Sequence, residues 1–159
     1  MGVILIMEEY QLTRRQSREA ALIYLYQYLI EEDYHQKNDK FFNLARFIKE
    51  NMDTLNVILQ EKFKTHKEIK LINDELFISI VEQMNDIDLI KKEINEKLDK
   101  TWNFERLNLV DQAILITAYV QIKTKSVEKQ IVINEAVELA KEYCDDDSYK
   151  YINGVLDKF

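Results

Sequence analysis

The apolar positions of this chain recur at helical spacing in successive stretches separated by polar gaps. Leu22, Leu25 and Leu29, with Ala21 and Tyr28 beside them, lay one stripe along a helix running from residue 13 to about residue 30. Thr13 and Gln16 stand three apart at its start, the spacing of a capping box. After a polar gap over 31–40, a second helical series follows at Phe41, Leu44, Ala45, Ile48, Met52, Leu55 and Leu59. Residues 60–70 are mostly charged and lack a wide apolar stripe, which predicts a loop or a solvated extension of that helix. Leu76, Phe77, Ile80, Val81 and Met84 predict a third helix over 74–84, and Ile87, Ile90, Ile94 and Leu98 a fourth over 86–98.

Asn108 is placed to cap a fifth helix carrying Val110, Ala113, Ile114, Thr117, Ala118 and Tyr119. It is apolar nearly all round, so it should be the central buried element. Ser126 is the expected cap of a sixth helix over 127–143. A seventh begins at Asp145, Asp146 and Asp147 and ends near residue 158, its three carboxylates complementing the helix dipole. Nothing repeats and no linker interrupts the pattern. The expectation is an all-α bundle of about seven helices, one domain over 13–159, preceded by a leader over 1–12 in which Met7 is a second candidate initiator.

Composition supports helices by removing the alternative. With no proline and two glycines in 159 residues, most of the turn chemistry that β-rich folds need is missing. A chain of this length buries about 70% of its unfolded surface, enough for a core without staples. Cys144 is the sole cysteine, so no internal disulfide can form, which suits a reducing cytoplasm. The opening MGVILIM has six apolar residues and no charged flank, shorter than a signal peptide or membrane span needs.

A net charge of −7 confines any nucleic-acid contact to a patch, because counterion release needs a local excess of Lys and Arg. Residues 10–18 hold Arg14, Arg15 and Arg18 and no acid, whereas residues 133–159 hold seven acids against three lysines. Cations in a first turn oppose the helix dipole, so a helix built for stability alone would place acids there. Arg18 lies three and four residues from Arg15 and Arg14, so all three can share one face, an arrangement suited to a single strand of phosphates. The plain alternative is a solvated basic turn with local ion pairs to Glu19. Tyr24, Tyr26 and Tyr28 offer stacking surfaces, although most tyrosines at helical spacing are core. Tyr149, Lys150 and Tyr151 are the stronger group, a cation between two aromatics near a helix start. Asp145 to Asp147 read as helix-start compensation and not as a metal site, and His35 and His66 as solvated surface residues. No phosphate-cradling loop, nucleophile elbow or cofactor fingerprint occurs, so neither an enzyme nor a cofactor is expected.

The tail carries three linked motifs: Ile133-Asn134-Glu135-Ala136, Asp147-Ser148-Tyr149-Lys150-Tyr151 and Asn153-Gly154-Val155-Leu156-Asp157-Lys158. Arg14-Arg15-x-x-Arg18-Glu19-Ala20-Ala21 with Leu25-Tyr26 stands near the start, and Trp102-x-x-Glu105-Arg106-Leu107 with Asp111-x-Ala113-Ile114-Leu115 in the middle. Together they resemble the NusB family of bacterial transcription antitermination factors over most of residues 13–158. The resemblance implies two small helical subdomains packed across each other. It further implies binding of boxA RNA with NusE, a small-subunit ribosomal protein, in an antitermination complex on RNA polymerase that favours complete transcription of ribosomal RNA operons. Some members form homodimers, so a second copy is also a candidate partner. By position, Arg14, Arg15, Arg18, Tyr149, Lys150 and Tyr151 would touch RNA, and Tyr26 and Asp147 the protein partner. Asn134, Glu135, Asn153 and Gly154 would hold the last helices in place.

Several positions depart from the family pattern. Members often have arginine at Ile116 with glutamate at Gln121, a proline at Glu128, a glycine at Cys144 and, in some, arginine at Gln16. The acidic balance and Gln16 keep an alternative open, a module of the same fold that binds NusE or another protein without specific RNA binding. A third relation is to the helical part of ribosomal RNA cytosine methyltransferases, but no catalytic domain is seen here and methyl transfer is not expected.

Overall fold

The computed structural model describes residues 8–37 and 44–159, and it is built of helices. Helix α1 spans Arg14–Lys37. Its start follows the capping box: Gln16 N donates to Thr13 Oγ1 at 3.1 Å, and Thr13 N donates to Gln16 Oε1 at 3.0 Å. Its end lies two turns beyond the expected residue 30, because the polar residues there find partners. Lys37 pairs with Asp33 at 2.9 Å, His35 faces Glu31 at 3.6 Å, and Lys91 reaches Glu32 from another helix. His35 is therefore half-buried, not simply solvated, while His66 is exposed.

Helix α2 spans Leu44–Lys62. Its expected start at Phe41 lies outside the described residues. Leu55 and Leu59 are fully buried, and Phe47 meets Tyr24 and Tyr28 edge to face at 5.5 and 5.7 Å. The chain then turns through Lys64, at φ 53°, into an ordered connection. Tyr10 N donates to the Glu68 carbonyl at 2.8 Å and the Tyr10 ring stacks on Phe63, so residues 8–12 lie along this connection.

Helix α3 spans Glu75–Val81, capped by Asp74, which accepts from Phe77 N at 2.8 Å. Instead of continuing to residue 84 it tightens into a 3-10 turn, Glu82–Asp86, and runs on as α4, Ile87–Lys97. Helix α5 spans Leu109–Thr124, and every residue from 111 to 121 is buried, as its all-round apolar pattern requires. Asn108 occupies the cap position without a capping bond. Helix α6 spans Lys129–Tyr143 and starts from Glu128, not from Ser126, whose Oγ accepts from Thr124 Oγ1. Helix α7 spans Ser148–Leu156. The three aspartates precede it, so they do not fill its first turn, and the Asp147 side chain makes no capping bond.

Helix α1 packs on α2 and α3 and, on its other side, on α5, which also packs on α4, α6 and α7. The α1–α3 and α4–α7 groups meet along the α1–α5 contact. Tyr24 and Tyr28 belong to this core at 2% and 5% exposure, which removes them as stacking surfaces. Burial pushes the Tyr24 hydroxyl up to about 12. No helix among the described residues is long and apolar enough to cross a membrane.

Of the short polar residues expected to hold the last helices in place, Glu135 ties α6 to α1 through Arg15, and the others make no side-chain hydrogen bond to another helix among the described residues. Asn134 accepts from Gln130 one turn away, Glu135 faces α1, and Asn153 and Gly154 are exposed. A Cβ added at Gly154 meets nothing within 4 Å. Gly154→Ala is therefore expected to raise stability by about 0.5–1 kcal/mol, because alanine loses less backbone entropy on entering a helix. Urea unfolding measures this, and a loss of stability would show that this position needs glycine.

Candidate nucleic-acid interface

Because the capping box fixes the first turn of α1, Arg14 and Arg15 project from its N-terminal end. Arg14 is exposed and has no ion-pair partner among the described residues. Arg15 makes a two-pronged contact with Glu135 of α6, Nε to Oε2 at 3.0 Å and Nη2 to Oε1 at 3.3 Å. That hydrogen-bonded carboxylate raises the Arg15 pKa further above its ordinary value. Its side chain stays 60% exposed, so the pair sits in water and is weak.

Arg18 goes elsewhere. It is 4% exposed, and its Nε donates to Gln121 Oε1 of α5 at 2.9 Å, while Nη2 has no partner. Burial lowers its pKa, with Glu135 opposing that shift. Arg14 and Arg15 are exposed while Arg18 is buried, so the three arginines do not share one exposed face as expected. The missed signal was in the chain: residues 18, 22, 25 and 29 stand at i, i+4, i+7 and i+11, so Arg18 lies on the core stripe. Neither does Glu19 serve as a local partner for the arginines. It accepts from the Tyr143 hydroxyl and pairs with Lys62 at 3.1 Å, tying α1 to α2 and α6.

The two ends of the chain meet across α6. Arg15 lies with Glu138, Lys141 and Glu142 around one shallow cavity, and Lys141 Nζ sits 5.2 Å from the centre of the Tyr149 ring. Lys150 Nζ is 5.9 Å from the same ring. Tyr149 is thus flanked by two ammonium groups, a cation–π arrangement that keeps a half-buried ring beside exposed charge. Sequence reasoning paired Lys150 with Tyr149 and missed Lys141, which stands on the polar face of α6 with Glu138 and Glu142.

Tyr151 faces a different way, its ring 5.3 Å from Trp102. These two rings wall a groove of about 700 Å³ with Asp111 inside and Asp145, Asp146 and Asp147 along it. Asp111 is 7% exposed with an unpartnered Oδ1, and the Tyr151 hydroxyl is also buried without a partner. Burial, reinforced by Asp111, pushes the neighbouring Cys144 thiol up, so it stays protonated. Asp147 is exposed and lies 3.5 Å from Lys150. Tyr26 is 39% exposed and opens an outer stripe on α1 with Ile30 and Tyr34.

The departures have local explanations. Cys144 is extended, at φ −106°, where any residue fits. Glu128 has φ −57°, compatible with proline. Gln16 is the capping-box residue, and Gln121 is the partner of Arg18, not of residue 116.

The model of the NusB family matches residues 15–159. The transcription antitermination protein NusB of Macrococcus caseolyticus is 36% identical over 148 residues, covering 91% of this chain and 94% of that protein. A shorter match to the namesake from Ligilactobacillus salivarius is 45% identical over 83 residues, 52% of this chain and 61% of that protein. Among solved structures, NusB of T. maritima superposes with a TM-score of 0.65 at 24% identity, covering 94% of this chain and 91% of that one. A complex of NusB and NusE with double-stranded RNA superposes at 0.59 and 22% identity, covering 91% and 93%. These superpositions establish the fold, and the family model matching residues 15–159, with the 36% identity to a relative covered to 94%, shows that the chain belongs to the NusB family.

Proposed function

We propose that this protein is a transcription antitermination factor that binds boxA-type single-stranded RNA together with NusE, within an antitermination complex on RNA polymerase. The observation that carries this reading is the continuity from Arg14 and Arg15, across α6, to the Lys141–Tyr149–Lys150 cluster. Exposed cations beside an aromatic ring are what a flexible strand needs, phosphates meeting charge while a base stacks. Arg18 supports the surface from behind and does not take a phosphate itself. The acidic groove between Trp102 and Tyr151, with Asp111 and Asp147, repels phosphate and is a surface offered to the protein partner, and the exposed Tyr26 stripe on α1 is another. Separate faces of opposite character allow RNA and NusE to bind together.

A second reading is a protein-interaction module of the same fold. Its motivation is that Glu135 already neutralises Arg15 and Arg18 is buried, which leaves Arg14 alone among the three without a partner. The two readings differ in a salt series. With four cations engaged (Arg14, Arg15, Lys141 and Lys150), the logarithm of RNA affinity should fall with the logarithm of salt at a slope of about −3. Fluorescence anisotropy with a boxA-like strand and its scrambled counterpart, NusE present, is the test. Equal affinity for the two strands would sink the first reading, and NusE binding with an RNA slope near −1 would establish the second.

A further inference from the structure

At the other end of α6 the last turns of α4, α5 and α7 surround a cavity of about 660 Å³. Five lysines line it, Lys97, Lys123, Lys125, Lys129 and Lys158, against one acid, Glu128. In a chain of net charge −7 this is a local excess of the opposite sign. Three of the ammonium groups are tethered: Lys123 to Glu93 at 3.0 Å, Lys129 to the main-chain oxygens of Asp157 and Phe159, and Lys158 to the Lys97 carbonyl at 3.1 Å with Asp99 at 3.8 Å. The Asp157 and Lys97 carbonyls fix a cation without cancelling its charge, whereas Glu93 and Asp99 offset part of the charge of Lys123 and Lys158. Lys97 and Lys125 are exposed, and their side chains have no hydrogen-bond or ion-pair partner among the described residues.

The rest of the lining is apolar. The Tyr119 and Phe159 rings pack with centroids 4.7 Å apart, and Ile122 and Val127 complete the wall. The Tyr119 hydroxyl donates to Glu93, so its polar end is already satisfied. Lysines around an aromatic floor match a ligand with an anionic part and a flat apolar part. A bare phosphate would leave the rings unused, and an uncharged aromatic would leave the lysines unused.

We propose that this cavity binds a nucleoside phosphate, the base against the half-buried Phe159 ring that packs on the buried Tyr119, and the phosphate between Lys97 and Lys125. The source is either a free nucleotide or the phosphorylated end of an RNA strand. The site is independent of the arginine face: Lys129 opens α6 here, whereas Glu135, Glu138 and Lys141 meet the arginine and tyrosine surface from its middle onward.

Two substitutions remove the unpartnered charge without loading the fold. Alanine is the best helix former at the exposed Lys97. Glycine at residue 125 relieves a left-handed backbone, φ 54°, that a lysine holds with strain. Calorimetric titration of the full chain with each nucleoside monophosphate, with adenosine, with inorganic phosphate and with a 5′-phosphorylated tetranucleotide tests the proposal. The monophosphates should bind about tenfold tighter than phosphate or adenosine alone, since only they use both halves of the site. Lys97→Ala with Lys125→Gly should weaken them by about tenfold and leave boxA RNA binding and the circular dichroism spectrum unchanged. Tetranucleotide binding as tight as the monophosphates assigns the site to an RNA end, and its exclusion assigns it to a free nucleotide. The proposal is overturned if no monophosphate binds, if none exceeds inorganic phosphate, or if the double variant binds them as before.

Discussion

Gln121→Leu is expected to destabilise the protein by about 3 kcal/mol, because it strips from a buried guanidinium its one hydrogen-bonded acceptor among the described residues. Arg18 is 4% exposed and Gln121 2% exposed, and they are joined at 2.9 Å across the α1–α5 contact. Arginine cannot shed its proton to escape, and Nη2 is already without a partner. The Gln121 amide in turn donates to the Thr117 carbonyl at 2.9 Å, so it is held in place to receive the arginine. Urea unfolding followed by circular dichroism gives the loss. The companion variant, Arg18→Met with Gln121→Leu, should recover most of it, since removing both polar partners leaves no orphan charge. A single-variant loss below about 1 kcal/mol, or a double variant no better than the single, would show that the guanidinium finds water or another acceptor.

That pair also marks the limit of what the sequence discloses. Thr13 and Gln16 could be read as a capping box because both partners of each bond are three residues apart, and α5 could be read as central because its apolar residues leave no polar face. Local information was sufficient there. The end of α1 was not legible, because its last turns depend partly on Lys91, far along the chain, reaching back to Glu32. The same holds for the site. Arg14 and Arg15 were legible as exposed cations in a first turn, but Glu135 and Lys141 become part of their surface only through the packing of α6 beside α1. Arg18 was misplaced for a different reason. Its charge argued for the surface and its position on the Leu22, Leu25 and Leu29 stripe argued for the core, and the stripe prevailed because Gln121 supplies an acceptor inside.

Glu93, Lys123 and Tyr119 show how an acidic chain can carry basic surfaces at all. The Tyr119 hydroxyl, then Lys123, hold the Glu93 carboxyl below its ordinary range, so it stays ionised and anchors the lysine beside the ring. Glu135 does the corresponding work for Arg15. In both places an acid fixes a cation in a definite position and cancels part of its charge. Orientation is gained while attraction for a phosphate is reduced, so the acid is expected to act as a brake on anion binding.

Arg14→Ala with Arg15→Ala should weaken boxA RNA binding by about a hundredfold, near tenfold for each arginine that no longer meets a phosphate, and bring the salt slope from about −3 to about −1.5. Both residues are exposed, and their removal relieves an unfavourable dipole contact, so the helical circular dichroism signal should be unchanged or slightly more resistant to heat. Glu135→Gln supplies the opposing arm. It releases Arg15 from its two-pronged contact and removes a negative charge from the strand's path, so affinity should rise severalfold, most at low salt. Its effect should vanish in the Arg14 and Arg15 double variant if the carboxylate acts through those arginines. Persistence of the gain there would mean that Glu135 repels RNA directly through Lys141 and Tyr149. Affinity unchanged by the double variant would move the RNA site off this face altogether.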